Sequence, residues 1–159
     1  MFPKRSKDSE TITCFTVMPN DMNHQGSLFG GKLLQEIDMV AGMVATRHVR
    51  RNCVTASVDR VNFKRPAKEG DYITIHGKIV YTSTRSMEVS VSVEAEKRLT
   101  GRKYEICHSY LTFVALDDDD RPEEVPQLLL ETDEDRIIFE EGRQRYEQRK
   151  RERDASKIQ

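Results

Sequence analysis

The chain has 159 residues, the length of a single domain. Hydrophobic residues make up 36% and charged residues 33%, there is no Trp, and the formal net charge is -1. No apolar run is long enough to span a membrane, and the near-zero charge argues against a nucleic-acid binder working by bulk charge.

An average soluble domain is richer in apolar residues, at roughly 45–50%. Either part of this chain lies outside any core, or a second subunit completes the core. The cysteines, Cys14, Cys53 and Cys107, are odd in number and show no CxxC spacing. A reduced, cytoplasmic setting is therefore expected. His24, His48, His76 and His108 never fall in HxxxH or HExxH spacing, so no metal site is expected.

Residues 1–9 are charged, lack the apolar segment of a secretory signal, and read as a flexible N-terminus. Ile12 to Met18 suits a short strand, broken by Pro19-Asn20-Asp21. A glycine-bearing loop runs from Met22 to Gly31. From Lys32 to about Arg50 the apolar residues follow a helical period: Leu33, Leu34, Ile37, Val40, Ala41, Val44 and Ala45 share one face with His48. Met39 and Met43 lie opposite, which predicts a helix buried nearly all round.

From Cys53 to Leu116 the pattern is that of strands. Val89, Val91 and Val93 alternate with Glu88, Ser90, Ser92 and Glu94. Tyr72 to His76 alternates as well and continues past Gly77 through Ile79-Val80-Tyr81. Val54 to Phe63 and Tyr104 to Leu116 complete the set. The connections are short, as antiparallel pairing requires. Asp117 to Asp120 reads as a solvated acidic loop. The segment 121–159 reads as a charged helical tail that projects into solvent. Its start, Thr132-Asp133-Glu134-Asp135, has the form of an N-cap with acidic residues in the first turn. One buried helix against a long antiparallel sheet of five to six strands is an α+β arrangement, placed in residues 10–120.

Two motifs bear on chemistry. Gly26 to Leu33 nearly matches the phosphate loop GxxxxGK[ST], but Leu33 cannot ligand Mg²⁺ and no repeated βα units follow. What survives is a glycine pair, Gly30-Gly31, opening a helix whose free amides favour an anion or an oxyanion. The second is Asp38, at the edge of the helix's apolar face beside Leu34 and Gly42. It is either a border carboxylate paired to Arg47 or His48, or a general base held in a partly apolar pocket. Glu36 lies on the exposed side.

The ordered set Met18-Pro19-x-Asp21-x-Asn23-x-x-Gly26-x-x-Phe29-Gly30-Gly31, Asp38-x-x-Ala41-Gly42, Thr46-Arg47-His48 and Thr55-Ala56-Ser57-Val58-Asp59-Arg60-Val61-Asn62-Phe63-x-x-Pro66 resembles the hotdog-fold acyl-CoA thioesterases. The nearest likeness is to the bacterial and cytosolic long-chain acyl-CoA hydrolases. It covers roughly residues 10–116 and leaves the tail out. The resemblance implies a long helix wrapped by an antiparallel sheet, a homodimer as minimum unit, and a hexamer built as a trimer of dimers. It implies hydrolysis of fatty acyl-CoA to CoA and fatty acid, with no cofactor, since CoA is part of the substrate. Asp38 would be general base or nucleophile, Asn23 of a neighbouring subunit would position substrate or water, and the backbone N–H at Gly31 would be the oxyanion donor. CoA contacts would come from His24, Gln25, Gly30, Arg60, Asn62, Phe63, Lys64, Thr84, Arg85 and Ser86, the basic residues together forming a phosphate collar. His24 and Gln25 sit where the family varies. Alternatives on the same fold are a non-catalytic acyl-CoA sensor and a hydratase or dehydratase using His24 with Asp38.

Overall fold

The computed structural model describes residues 1–158. Strand β1 (Thr11–Thr16) leads through a loop into helix α1 (Gly30–Val49). Four strands follow: β2 (Asn52–Val58), β3 (Tyr72–Thr82), β4 (Ser86–Glu96) and β5 (Lys103–Leu116). Helix α2 (Asp133–Ser156) ends the fold. The sheet is antiparallel throughout, in the order β1-β3-β4-β5-β2. The long helix against a curled sheet is the hotdog arrangement, with five strands.

Helix α1 buries Leu33, Ile37, Val40, Ala41, Val44, Ala45 and His48. These meet the inward residues of the central strands, among them Ile73, Ile75, Val89, Val91, Leu111 and Phe113. Each such large apolar side chain contributes about 1.5–3 kcal/mol. Gly77 lets the helix press close, since a Cβ there would lie 3.0 Å from Val44 and 3.1 Å from Val40. Beyond Val49, Arg50 takes the left-handed conformation (φ 56°), and its N–H reaches Thr46 O at 2.7 Å. His48 is fully buried, and burial pushes its pKa down. Its Nε2–H donates to Pro126 O at 2.6 Å, tying the helix end to the segment before α2.

Bulges explain where strict alternation breaks. Between Val93/Glu94 of β4 and Cys107/Glu105 of β5 the register slips, so Ile106 and Cys107 are buried consecutively. A similar slip between Ile79 and Tyr81 leaves Ile79 to Thr82 all buried. Burial pushes the Cys107 thiol up to about 11, whereas Cys14 is exposed. A thiol reagent added to native protein should therefore modify Cys14 promptly and Cys107 only on unfolding. Equal rates at both would contradict this packing.

Three expectations need correction. The helix is not covered all round within one chain: Leu34, Met39 and Met43 are exposed, because the sheet wraps only one side. The N-terminus is not loose. Lys4 makes backbone bonds to Gln127 and Leu129, Ser6 Oγ donates to Ile79 O at 2.6 Å, and Ser9 is buried.

The tail does not project into solvent. Helix α2 lies across the outer face of the sheet, where Phe139 and Tyr146 pack on Tyr81. Gly142 makes this approach possible, since a Cβ there would lie 2.6 Å from Tyr81 Cβ. Glu88, which alternates in sequence with the core valines, is 1% exposed beneath α2. Its Oε1 accepts from Arg145 at 2.9 and 2.7 Å. Its Oε2 pairs with Arg149 at 2.8 Å.

Candidate functional site

Asp38 sits on the side of α1 turned away from the core, as the 100° step from Leu34 and Gly42 requires. It is exposed in the single chain. Neither Arg47 nor His48 pairs with it. Its Oδ1 instead accepts a 2.7 Å hydrogen bond from Thr55 Oγ1 on β2, and Oδ2 has no protein partner among the described residues. Sequence reasoning placed Thr55 in the family-like run but gave it no role. No spacing rule links a helix carboxylate to a strand hydroxyl 17 positions on.

Asn23 shapes the loop before α1. Its Oδ1 accepts the N–H groups of Gln25 (2.9 Å) and Ser27 (3.1 Å). Its Nδ2 donates to Ser27 Oγ at 3.3 Å, which leaves a second Nδ2 proton for a ligand. Asn23, Gly30, Phe63, Lys64 and Arg65 line one cleft of about 320 Å³ at the N-terminus of α1. Leu33 is the first amide to close onto the helix, through Phe29 O at 3.2 Å. The amides of Gly30, Gly31 and Lys32 thus lack an intrahelical acceptor, and the positive end of the helix dipole adds to them.

Within one chain this cleft and Asp38 stay apart. Gly31 and Asp38 are about 10 Å apart along the helix axis. The basic collar does not close within one chain either. Lys64 N–H bonds Ile106 O, at the start of β5. Ser86 pairs with Val114, roughly 26 Å further along that strand. Lys64 Nζ is also taken by Glu105 at 2.8 Å. Arg60, Asn62, Thr84 and Arg85 are exposed, as are His24 and Gln25. His24 makes no side-chain bond among the described residues.

The exposed side of α1 carries Asp38 with Leu34 at one border and Met39 and Met43 toward the other, three apolar side chains left uncovered within one chain. Near it, Val54 and Val58 are exposed on β2, an edge strand with one free side. An edge of this kind invites another strand.

Comparison with known proteins agrees with this geometry. The thioesterase superfamily profile matches residues 25–101. The uncharacterized acyl-CoA thioester hydrolase YkhA of Bacillus subtilis is 40% identical over 144 residues, covering 91% of this chain and 84% of that protein. A hexameric acyl-CoA thioesterase in apo form superposes with a TM-score of 0.90 at 38% identity, covering 96% of this chain and 97% of that one. The acyl-CoA hydrolase of Staphylococcus aureus, solved with butyryl coenzyme A, coenzyme A and coenzyme A disulfide, gives 0.88 at 37% identity, covering 98% of this chain and 94% of that one. That hydrolase has also been solved with one Asn, one Asp or one Thr replaced by Ala. Coverage this high includes α2, so the likeness extends into the tail, contrary to the expectation that it stopped near residue 116. Shared sequence, shared fold and a helix opened by Gly30-Gly31 lead to one assignment: the chain belongs to the thioesterase superfamily.

Proposed function

We propose that this chain hydrolyses acyl-CoA thioesters to CoA and free fatty acid. The observation that carries the reading is Asp38 held by Thr55. A thioester carbonyl is already electrophilic and a thiolate leaves readily. One carboxylate, one water and one oxyanion donor therefore suffice. Thr55 occupies Oδ1 and orients the carboxyl, so Oδ2 is the atom that takes a proton from water or attacks the carbonyl carbon. The Gly31 amide, with its helix dipole, stabilises the oxyanion, and Asn23 Nδ2 holds the thioester oxygen or the water. The three Ala variants of the S. aureus hydrolase are spaced 15 and 17 positions apart. Asn23, Asp38 and Thr55 have that same spacing.

Because the cleft and Asp38 are separated within one chain, the site is completed by a second copy. The uncovered side of α1 and the free edge of β2 form the seam. Asn23 and Gly31 of one subunit then face Asp38 of the other. Assembly into a hexamer follows the likeness to the hexameric thioesterase. Free Cys14, Cys53 and Cys107 suit a reducing, cytoplasmic setting.

A thiol-release assay across short to long acyl-CoA chains tests the activity, beginning with long chains as the resemblance suggests. Turnover must exceed the stoichiometric signal of Cys14. No release with any chain length overturns the reading. Thr55→Val should lower kcat roughly tenfold to a hundredfold with KM little changed, since it removes one hydrogen bond to a charged group. An unchanged kcat would deny Thr55 its positioning role.

A further inference from the structure

The start of α1 lies between two aromatic rings. A Cβ on Gly31 would lie 2.5 Å from Phe29 Cε1 and 2.9 Å from its Cζ, so the Phe29 ring fills the space a side chain would take. A Cβ on Gly30 would lie 3.6 Å from Phe63 Cε2, an ordinary contact. We propose that Phe29 is a specificity-determining residue, an assignment that rests on the acyl-CoA reading. Its ring is the wall that admits acyl chains unbranched beside the thioester and turns branched ones away.

The backbone fixes where this ring stands. Phe29 N–H donates to Asp21 O at 2.8 Å, and Phe29 O accepts from Leu33 N–H at 3.2 Å. Just before it, Leu28 N–H donates to Ala67 O at 2.8 Å, and the Leu28 side chain is buried. Phe29 itself is extended (φ -63°, ψ 126°), and its ring points outward. It is 55% exposed and is not among the side chains packed on the core. A large apolar ring held at a fixed place outside the core is available to a ligand.

Its neighbour is the proposed oxyanion donor. In a helix both the N–H and the Cα–Cβ bond lean toward the N-terminus. A ring standing where the Cβ of Gly31 would be is therefore beside the Gly31 N–H. That donor holds the thioester oxygen at about 3 Å, which brings the carbons next to the carbonyl within contact of the ring.

The acyl side of the thioester is the one that meets it. The carbonyl carbon bears the sulfur on one side and the acyl chain on the other. The cleft lined by Gly30, Phe63 and Lys64 takes the pantetheine arm, and Phe29 stands outside that cleft. Gly31 and Asp38 are seven positions apart and so within about 20° on the helix. Phe29 thus covers the start of the helix face that bears Asp38, opposite the cleft, and the acyl chain leaves past it. A first acyl carbon bearing only hydrogens fits against the ring. A methyl on that carbon collides with it, and the ring cannot retreat toward Gly31, which it already touches.

The test is kcat/KM for two acyl-CoA substrates, a straight-chain one and its 2-methyl analogue, at the chain length turned over fastest. Wild type, Phe29→Tyr, Phe29→Leu and Phe29→Ala are compared. Wild type should prefer the straight chain by roughly tenfold or more, the scale of one methyl group in a tight apolar site. Phe29→Tyr should keep that ratio, because it keeps the ring. Phe29→Ala should reduce the ratio by roughly tenfold, with Phe29→Leu between. The intrinsic reactivities of the two thioesters are common to all four proteins and cancel in this comparison.

Thermal melts check that the variants stay folded. A purely structural part for Phe29 would lower both substrates alike and leave the ratio unmoved. An unmoved ratio in Phe29→Ala and Phe29→Leu, or equal kcat/KM for both substrates in wild type, overturns the proposal while the thioesterase reading stands. Wild type that releases no CoA from any chain overturns both.

Discussion

Asp38→Asn should lower kcat by about a thousandfold, the middle of the range for losing a general base, while leaving the fold intact. The second half follows from placement: Asp38 is exposed and bonded only to Thr55 Oγ1. A carboxamide can still accept that hydroxyl's hydrogen bond, so the melting temperature should hardly move. Substrate affinity should persist, because neither the cleft nor the helix N-terminus contains the residue. Steady-state kinetics beside a thermal melt separate these effects. Turnover near wild type would remove Asp38 from the reaction, whether as base or as nucleophile.

The same variant tests whether the site is shared. Asn23→Ala disables the cleft and Asp38→Asn disables the carboxylate. Mixed after reversible dissociation, the two chains form some heterodimers with one intact pair of half-sites. Recovery of up to about a quarter of wild-type activity is expected if subunits assort at random. No recovery after demonstrated exchange would place both residues in one subunit's site, against their separation along α1.

Helix α1 and the strands were legible from sequence because their signals are local. Leu33, Ile37, Val40 and Val44 repeat at helical spacing, and Val89, Val91 and Val93 at spacing two, without reference to anything distant. The same locality hid what lay across the fold. Glu88 reads as solvated because it alternates with core valines, yet its partners lie 57 and 61 positions on, in a segment with little apolar character. A basic helix with few hydrophobic residues reads as free. Its docking depends on Tyr81, Phe139 and Tyr146, with Gly142 admitting close contact. Asp38 was legible as an acid bordering an apolar stripe, but Thr55 needs β2 to pass alongside α1, and periodicity does not report that. Within one chain the basic collar stays open for a similar reason. Lys64 and Arg85 flank similar turns in sequence, but those turns root at opposite ends of β5.

The second large effect concerns the seat of α2. Replacing both Arg145 and Arg149 by Met should destabilise the fold by about 3–5 kcal/mol. It strands Glu88, 1% exposed, without its cations. For a chain of this size the melting temperature should then fall by roughly 6–20 °C at fixed protein concentration. Glu88→Leu alone should cost less, because the two arginines keep about a quarter of their side chains in water and can turn outward. The triple replacement should recover most of the loss, since an apolar cluster can match a buried ion pair in stability. A double variant as stable as wild type would mean that α2 does not cover Glu88 in solution. Recovery in the triple variant has a further consequence. Apolar contact would hold the helix down without fixing its rotation. The Arg145 guanidinium, bonded twice to Oε1 and stacked 3.7 Å from the Tyr110 ring, does fix it. The ion pairs then set the register of α2 on the sheet. A triple variant with restored melting temperature but broadened Tyr110 and Tyr146 ring signals is the expected result.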